Sequence, residues 1–303
     1  EMTQGNKTNL LGHIRPIHLT TALALYLAGA GLARYLGARL DYIDFGLGAL
    51  WLGSLFLAVF LLGDYFGISF ESSFFPLEEV DPLSEPEKQS RSSHGLLFGA
   101  LAFYSAAGIL TILIGLRGMI TPGVAVLMAS LFGLSTTVIV PGLNTKYSGI
   151  GEFIVSICVV IIPPALAFFI QYGDLHRFLS FSFFPLFPLH LALILTLRLR
   201  SYAEDFRLDR KTIMVRLGWV KGLFLHNMLI LSAFVLFGVA MLFGLPIRIV
   251  GPVFLTLVPA GYLIWIYSGV EYGAPVRWPL IIFLALVVFF MPLYLIAFTA
   301  WIF

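Results

Sequence analysis

The sequence predicts an all-α integral membrane protein with nine transmembrane helices, and three observations carry that prediction. Of 303 residues, 59% are hydrophobic and 11% are charged. Soluble domains sit near ~45–50% and ~25%, so a water-soluble globule is excluded. The mean hydropathy is +0.97, and the apolar residues fall into nine runs, each near the ~20 residues that a bilayer-spanning helix needs. The runs are continuous and lack the period-2 alternation of barrel strands, which favours helices over a β-barrel.

Taken in order, the first run, Ile17–Leu36, follows Arg15-Pro16 and is rich in Gly and Ala. The second, Phe45–Leu62, stops at Gly63-Asp64, where a carboxylate marks the exit from hydrocarbon. A long Ser-, Pro- and Glu-rich loop, Asp64 to Gly95, leads to the third, Leu96–Leu116, and a short turn to the fourth, Ile120–Val140. Glu152 opens the fifth, Phe153–Gly173, which holds Cys158 and Pro163-Pro164. The sixth, Phe178–Leu199, contains Pro185 and Pro188, residues that membrane helices tolerate. A second long loop, Arg200 to Lys221, precedes Leu223–Gly244, and Ile249–Gly269 and Pro279–Phe303 complete the set. Residues 1–303 read as a single membrane domain whose soluble-phase chemistry is confined to the loops at about 64–95 and 200–221. Cys158 is the only cysteine, which excludes an internal disulfide or thiolate cluster and fits a small buried hydrophobe.

Charge is scarce and uneven. There are 18 Lys and Arg against 16 Asp and Glu, so bulk charge implies no nucleic-acid surface. With nine spans, thirteen basic residues fall on the side of the N-terminus and five on the other. The positive-inside rule then places the N-terminus and both long loops in the cytoplasm and the C-terminus outside, as expected in the cytoplasmic membrane. Asp64, Glu152, Glu204, Asp205 and Asp209 all lie on that cytoplasmic side. Asp205 and Asp209 are four apart and share a face if the sixth helix continues through them. Two like charges so placed need a cation between them. Arg200, Arg207, Arg210 or Lys211 can supply it, and so can Mg²⁺, which binds through one or two carboxylates plus substrate phosphates. Glu152 also reads as a helix-start carboxylate facing the dipole. Lys88 and Arg91 face a diphosphate or act as positive-inside anchors.

Four stretches, in order, carry a family likeness: His13-Ile14-Arg15-Pro16; Gly63-Asp64-Tyr65-Phe66-Gly67; Lys146-Tyr147-Ser148-Gly149-Ile150-Gly151-Glu152; and Glu204-Asp205 with Asp209, then Thr212-Ile213-Met214-Val215-Arg216-Leu217-Gly218. The chain thereby resembles the UbiA superfamily of membrane prenyltransferases, most closely its menaquinone branch, the 1,4-dihydroxy-2-naphthoate polyprenyltransferases. The resemblance implies nine helices bundled around a lipid-facing central cavity. It also implies transfer of an isoprenoid chain from a prenyl diphosphate to an aromatic acceptor in quinone biosynthesis. Asp64, Asp205 and Asp209 match its catalytic, Mg²⁺-binding positions, and Arg15, Lys88, Arg91, Lys146 and Tyr147 its substrate contacts. The chemistry needs the leaving diphosphate neutralised and water kept from an allylic cation.

Two departures stand out. Gly63 and Gly67 replace the Asn and second Asp of the first Asp-rich motif, and Ser201 or Tyr202 stands where the second motif has an Asn pair. They imply an alternative: a catalytically degenerate relative that holds quinone, pigment or lipid within a larger membrane complex.

Overall fold

The computed structural model describes residues 16–66, 87–140, 149–207, 209–271 and 275–303, without the side chains of Pro16, 87–93 and Glu271. Among these residues the chain is helical and contains no strand. The elements are α1 (Pro16–Tyr35), α2 (Tyr42–Tyr65), α3 (Glu87–Leu116), α4 (Pro122–Ile139), α5 (Gly151–Ser156), a π segment (Ile157–Ile161), α6 (Ile162–Tyr172), α7 (Arg177–Phe183) and α8 (Leu186–Arg200). They continue with α9 (Tyr202–Arg207), α10 (Ile213–Leu217), α11 (Trp219–Leu242), α12 (Ile247–Val250), a 3-10 turn (Gly251–Thr256), α13 (Leu257–Glu271) and α14 (Trp278–Ile302).

Eight helical segments among the described residues are long and apolar enough to cross a membrane, so the chain reads as an integral membrane protein. They overlie the second to ninth predicted runs. The first run also forms a helix, α1, but it is less apolar, carrying His18, Thr20, Thr21 and Arg34, and is not among the eight. One boundary moves: α3 begins at Glu87, so the last residues assigned to the first long loop are helical.

Local chemistry explains the breaks. Asp41 caps α2, its Oδ1 accepting from the Ile43 and Asp44 amides at 2.8 and 3.1 Å. Thr121 caps α4 ahead of Pro122. The π segment lies where Pro163 and Pro164 offer no N–H to the carbonyls one turn back, and the Ile162 amide bonds instead to Ile157 O. Pro185 falls between α7 and α8, which divides the sixth span.

The centre is built from α1, α6, α8 and α14: α1 lies against α6 and α14, and α8 against α11 and α14. Without a hydrophobic drive between helices in lipid, close approach of small residues takes its place. A Cβ at Gly29 would come within 2.2 Å of Pro164 O, so α1 and α6 touch backbone to backbone there. Tyr26, buried, donates to Phe45 O at 3.1 Å and lies over Gly48. By contrast α3 presents Phe98, Leu101, Ile109, Ile112 and Leu116 outward, as a lipid-facing helix does.

The helix is continuous from α5 through the π segment to α6. Glu152 and Gln171 lie near its two ends, about 28 Å apart at 1.5 Å per residue. Each end carries an ionic cluster.

Candidate functional site at the Glu152 end

The second acidic stretch folds as a capped turn. Helix α8 stops at Arg200 and α9 runs only to Arg207. The Asp209 amide bonds to Phe206 O at 3.2 Å and the Arg210 amide to Asp205 O at 2.9 Å, which is a Schellman ending with Asp209 in the left-handed position, φ 49°. This corrects the expectation that Asp205 and Asp209 share one helix face. Helix termination turns Asp209 outward, where it is exposed, while Asp205 is fully buried.

The same turn brings Arg210 onto Asp205, Nη1 to Oδ1 at 3.1 Å. Arg198, from α8, approaches Oδ2 at 3.9 Å, and the Ser201 hydroxyl donates to Oδ2 at 3.4 Å. Arg198 also reaches Glu152 Oε1 at 4.0 Å, and that oxygen accepts from the Ile213 amide at 3.4 Å. Glu204 pairs with Arg210 at 3.6 Å. Two arginines thus serve three carboxylates and tie α5, α8, α9 and α10 together. Glu152 Oε2 is buried without a hydrogen-bond partner.

This geometry bears on a metal. Both oxygens of Asp205 face guanidinium groups, and among the described residues no three His, Cys, Asp or Glu side chains could hold one ion. Unit charges ~4 Å apart near a protein surface interact by roughly 4 kcal/mol, and a divalent cation at Asp205 would meet about twice that repulsion from each arginine. As arranged, the Asp205 carboxylate is matched to arginine rather than to Mg²⁺.

Between α1, α2, α4 and the fifth span lies a partly open apolar cavity of about 30 Å³. His18 of α1, Phe56 and Phe60 of α2, Ser135 of α4, and Val155 and Cys158 of the fifth span line it. Two helices run from this cavity to the acidic end: Asp64 lies one turn beyond Phe60 on α2, and Glu152 one turn before Val155 on α5. His18 stacks edge-on to His190, ring centroids 6.2 Å apart, and His190 Nδ1 lies 3.0 Å from Ser156 Oγ. A second buried network joins Thr196, His226 and Tyr267 at 3.1 Å contacts.

The chain matches no protein-family model and no curated relative.

Of the residues singled out from sequence, Asp64, Asp205 and Asp209 are described. Asp64 is partly buried, one residue before the end of α2. Arg15, Lys146 and Tyr147 lie outside the described residues. Lys88 and Arg91 lie on α3 with side chains outside the description. Arg210 is one of the cations expected beside Asp205. Arg198 and the cavity residues His18 and Ser135 were not anticipated. Arg198 lies seven residues before Asp205, two turns of an uninterrupted helix, but the interruption at Ser201 hides that spacing.

Proposed function

We propose that this protein is a membrane prenyltransferase of UbiA-like build, moving an isoprenoid chain from a prenyl diphosphate to an aromatic acceptor in menaquinone-like quinone biosynthesis. The observation that carries the reading is the apolar cavity set one helical turn from Asp64 and Glu152. An isoprenoid needs an apolar slot that excludes water, and its diphosphate needs a polar, basic end. The cavity and the 200–221 segment offer the two at one end of the bundle. In this reading α1 is the first of nine spans, the N-terminus and motif loops face the cytoplasm, and the C-terminus lies outside. Mg²⁺ belongs to the reading through the resemblance alone. The chain's own contribution is to bind and orient the isoprenoid and to shield it from water.

The test uses purified full-length protein in nanodiscs, with Mg²⁺, isoprenyl diphosphates of several lengths and a panel of hydroxylated aromatic acids. Release of diphosphate together with a prenylated product is expected. Failure to bind or to consume any of the donors would sink the proposal.

One observation favours a second reading. Asp205 is closed by two arginines, as suits a non-catalytic relative that holds quinone, pigment or lipid within a membrane complex. Turnover by the isolated monomer excludes that reading.

A further inference from the structure

We infer that Arg198 and Arg210 perform at Asp205 the task of a divalent cation, so that an anionic ligand end meets basic side chains of the 200–221 segment with no metal bridge to Asp205. The inference rests on the cavity being a prenyl diphosphate site. It departs from the family expectation that both Asp-rich motifs hold Mg²⁺.

Three observations support it. The carboxylates that would otherwise repel one another are already joined by guanidinium groups, Asp205 to Arg210 at 3.1 Å and Glu152 and Asp205 through Arg198. Secondly, the segment is basic: from Arg198 to Lys221 the chain has seven basic residues and three acids. Third, one of these basic residues, Arg216, is held near the start of α5. The Ile213 amide bonds to Glu152, which holds α10 against α5. Arg216, on α10, then lies across the entrance to α5, where a Cβ on Gly149 would be 3.4 Å from its side chain, and its Nε donates to Lys211 O at 3.2 Å. The cavity lining begins one turn further along that helix, at Val155.

Inorganic pyrophosphate is the probe, titrated calorimetrically into the full chain in detergent with Mg²⁺ or with EDTA. The affinity is expected to differ by less than about threefold between the two, and Arg216→Ala to weaken it by about tenfold. Asp205→Asn separates the two models by sign: losing a metal ligand abolishes binding, whereas releasing two arginines leaves it equal or tighter. Glu204→Gln, at a half-exposed position that partners only Arg210, repeats the test where folding is not at stake, with equal or tighter binding expected. Binding that requires Mg²⁺ and is lost in Asp205→Asn overturns the inference and leaves the prenyl diphosphate reading intact. No binding under either condition overturns both.

Discussion

The two ends of the helix from Gly151 to Tyr172 carry the same chemistry in opposite surroundings. At the Glu152 end, Arg198 bridges two carboxylates, and Glu152, Arg198 and Asp205 are each less than a tenth exposed. At the Gln171 end, Arg117 bridges Asp41, at 3.1 Å, and Asp44, but the Arg117 side chain is 37% exposed and that of Asp41 49%. Gln171 completes the far cluster by exchanging hydrogen bonds with the backbone of Asp41, at 2.9 and 3.2 Å. Each cluster joins three or more chain segments, and in each an arginine bridges two acids. What separates them is water. At the exposed end each partner retains solvation if the others are lost, whereas at the buried end the desolvated charges depend on the ion pairs and on the hydrogen bonds from Ser201 and Ile213.

Removing the bridging arginine at each end tests that difference most severely. Arg198→Met leaves Glu152 and Asp205 buried beside one another with only Arg210 remaining, and breaking a buried pair from one side costs about 3–5 kcal/mol. Arg117→Met removes an exposed bridge and is expected to lower the thermal midpoint far less, by an amount that shrinks as salt is added. Thermal unfolding of the two variants in one detergent decides the matter. Equal losses, or a salt-sensitive loss in Arg198→Met, would show that burial does not distinguish the clusters.

The contrast also shows what can be read from sequence. The spans were legible because an apolar run of about twenty residues is what a bilayer crossing requires and what a water-soluble fold seldom contains. That Asp64, Glu152 and Asp205 gather at one end followed from counting spans. Arg210 as the cation beside Asp205 was visible in its proximity, but the turn that delivers it was not. A left-handed residue at Asp209 is a local backbone choice with no glycine to announce it. Nor could sequence reveal that Glu152 and Arg198, forty-six positions apart, meet across two helices. His18 and Ser135 were missed for a similar reason. A polar residue on an apolar helix looks the same whether it lines a cavity or packs in the interior.

Acid separates the ends by a different property. The Asp41 carboxyl is held below its ordinary value of 3.8, chiefly by the Asp44 amide, then by the Ile43 amide and by Arg117. A depressed carboxyl stabilises the fold above its unfolded-state value and loses that contribution as pH falls through its folded-state value, so the window opens just below 3.8. Melting curves taken in steps downward from about pH 5 should show the midpoint of the native protein falling through that window more steeply than that of Asp41→Asn. The expected difference is smaller than the Arg198→Met loss. Parallel curves for the two proteins would remove Asp41 from the account of the far cluster.

The smallest effect is the most informative about Asp209. Its left-handed backbone, φ 49°, ends α9, a task that glycine performs with less strain. The Gln171 end offers the comparison: Gly37, Gly118 and Gly244 end α1, α3 and α11 with the same pair of backbone hydrogen bonds and φ of 92°, 73° and 94°. If Asp209 is principally a helix-ending residue, Asp209→Gly should stabilise the protein by about 0.5–1 kcal/mol. It should also leave pyrophosphate affinity unchanged or slightly tighter, since a carboxylate leaves a basic segment. If the Asp209 carboxylate holds a metal ion, the same substitution abolishes Mg²⁺-dependent binding whatever it does to stability. A single variant, measured by thermal unfolding and by titration, therefore assigns Asp209 either to the backbone or to the chemistry.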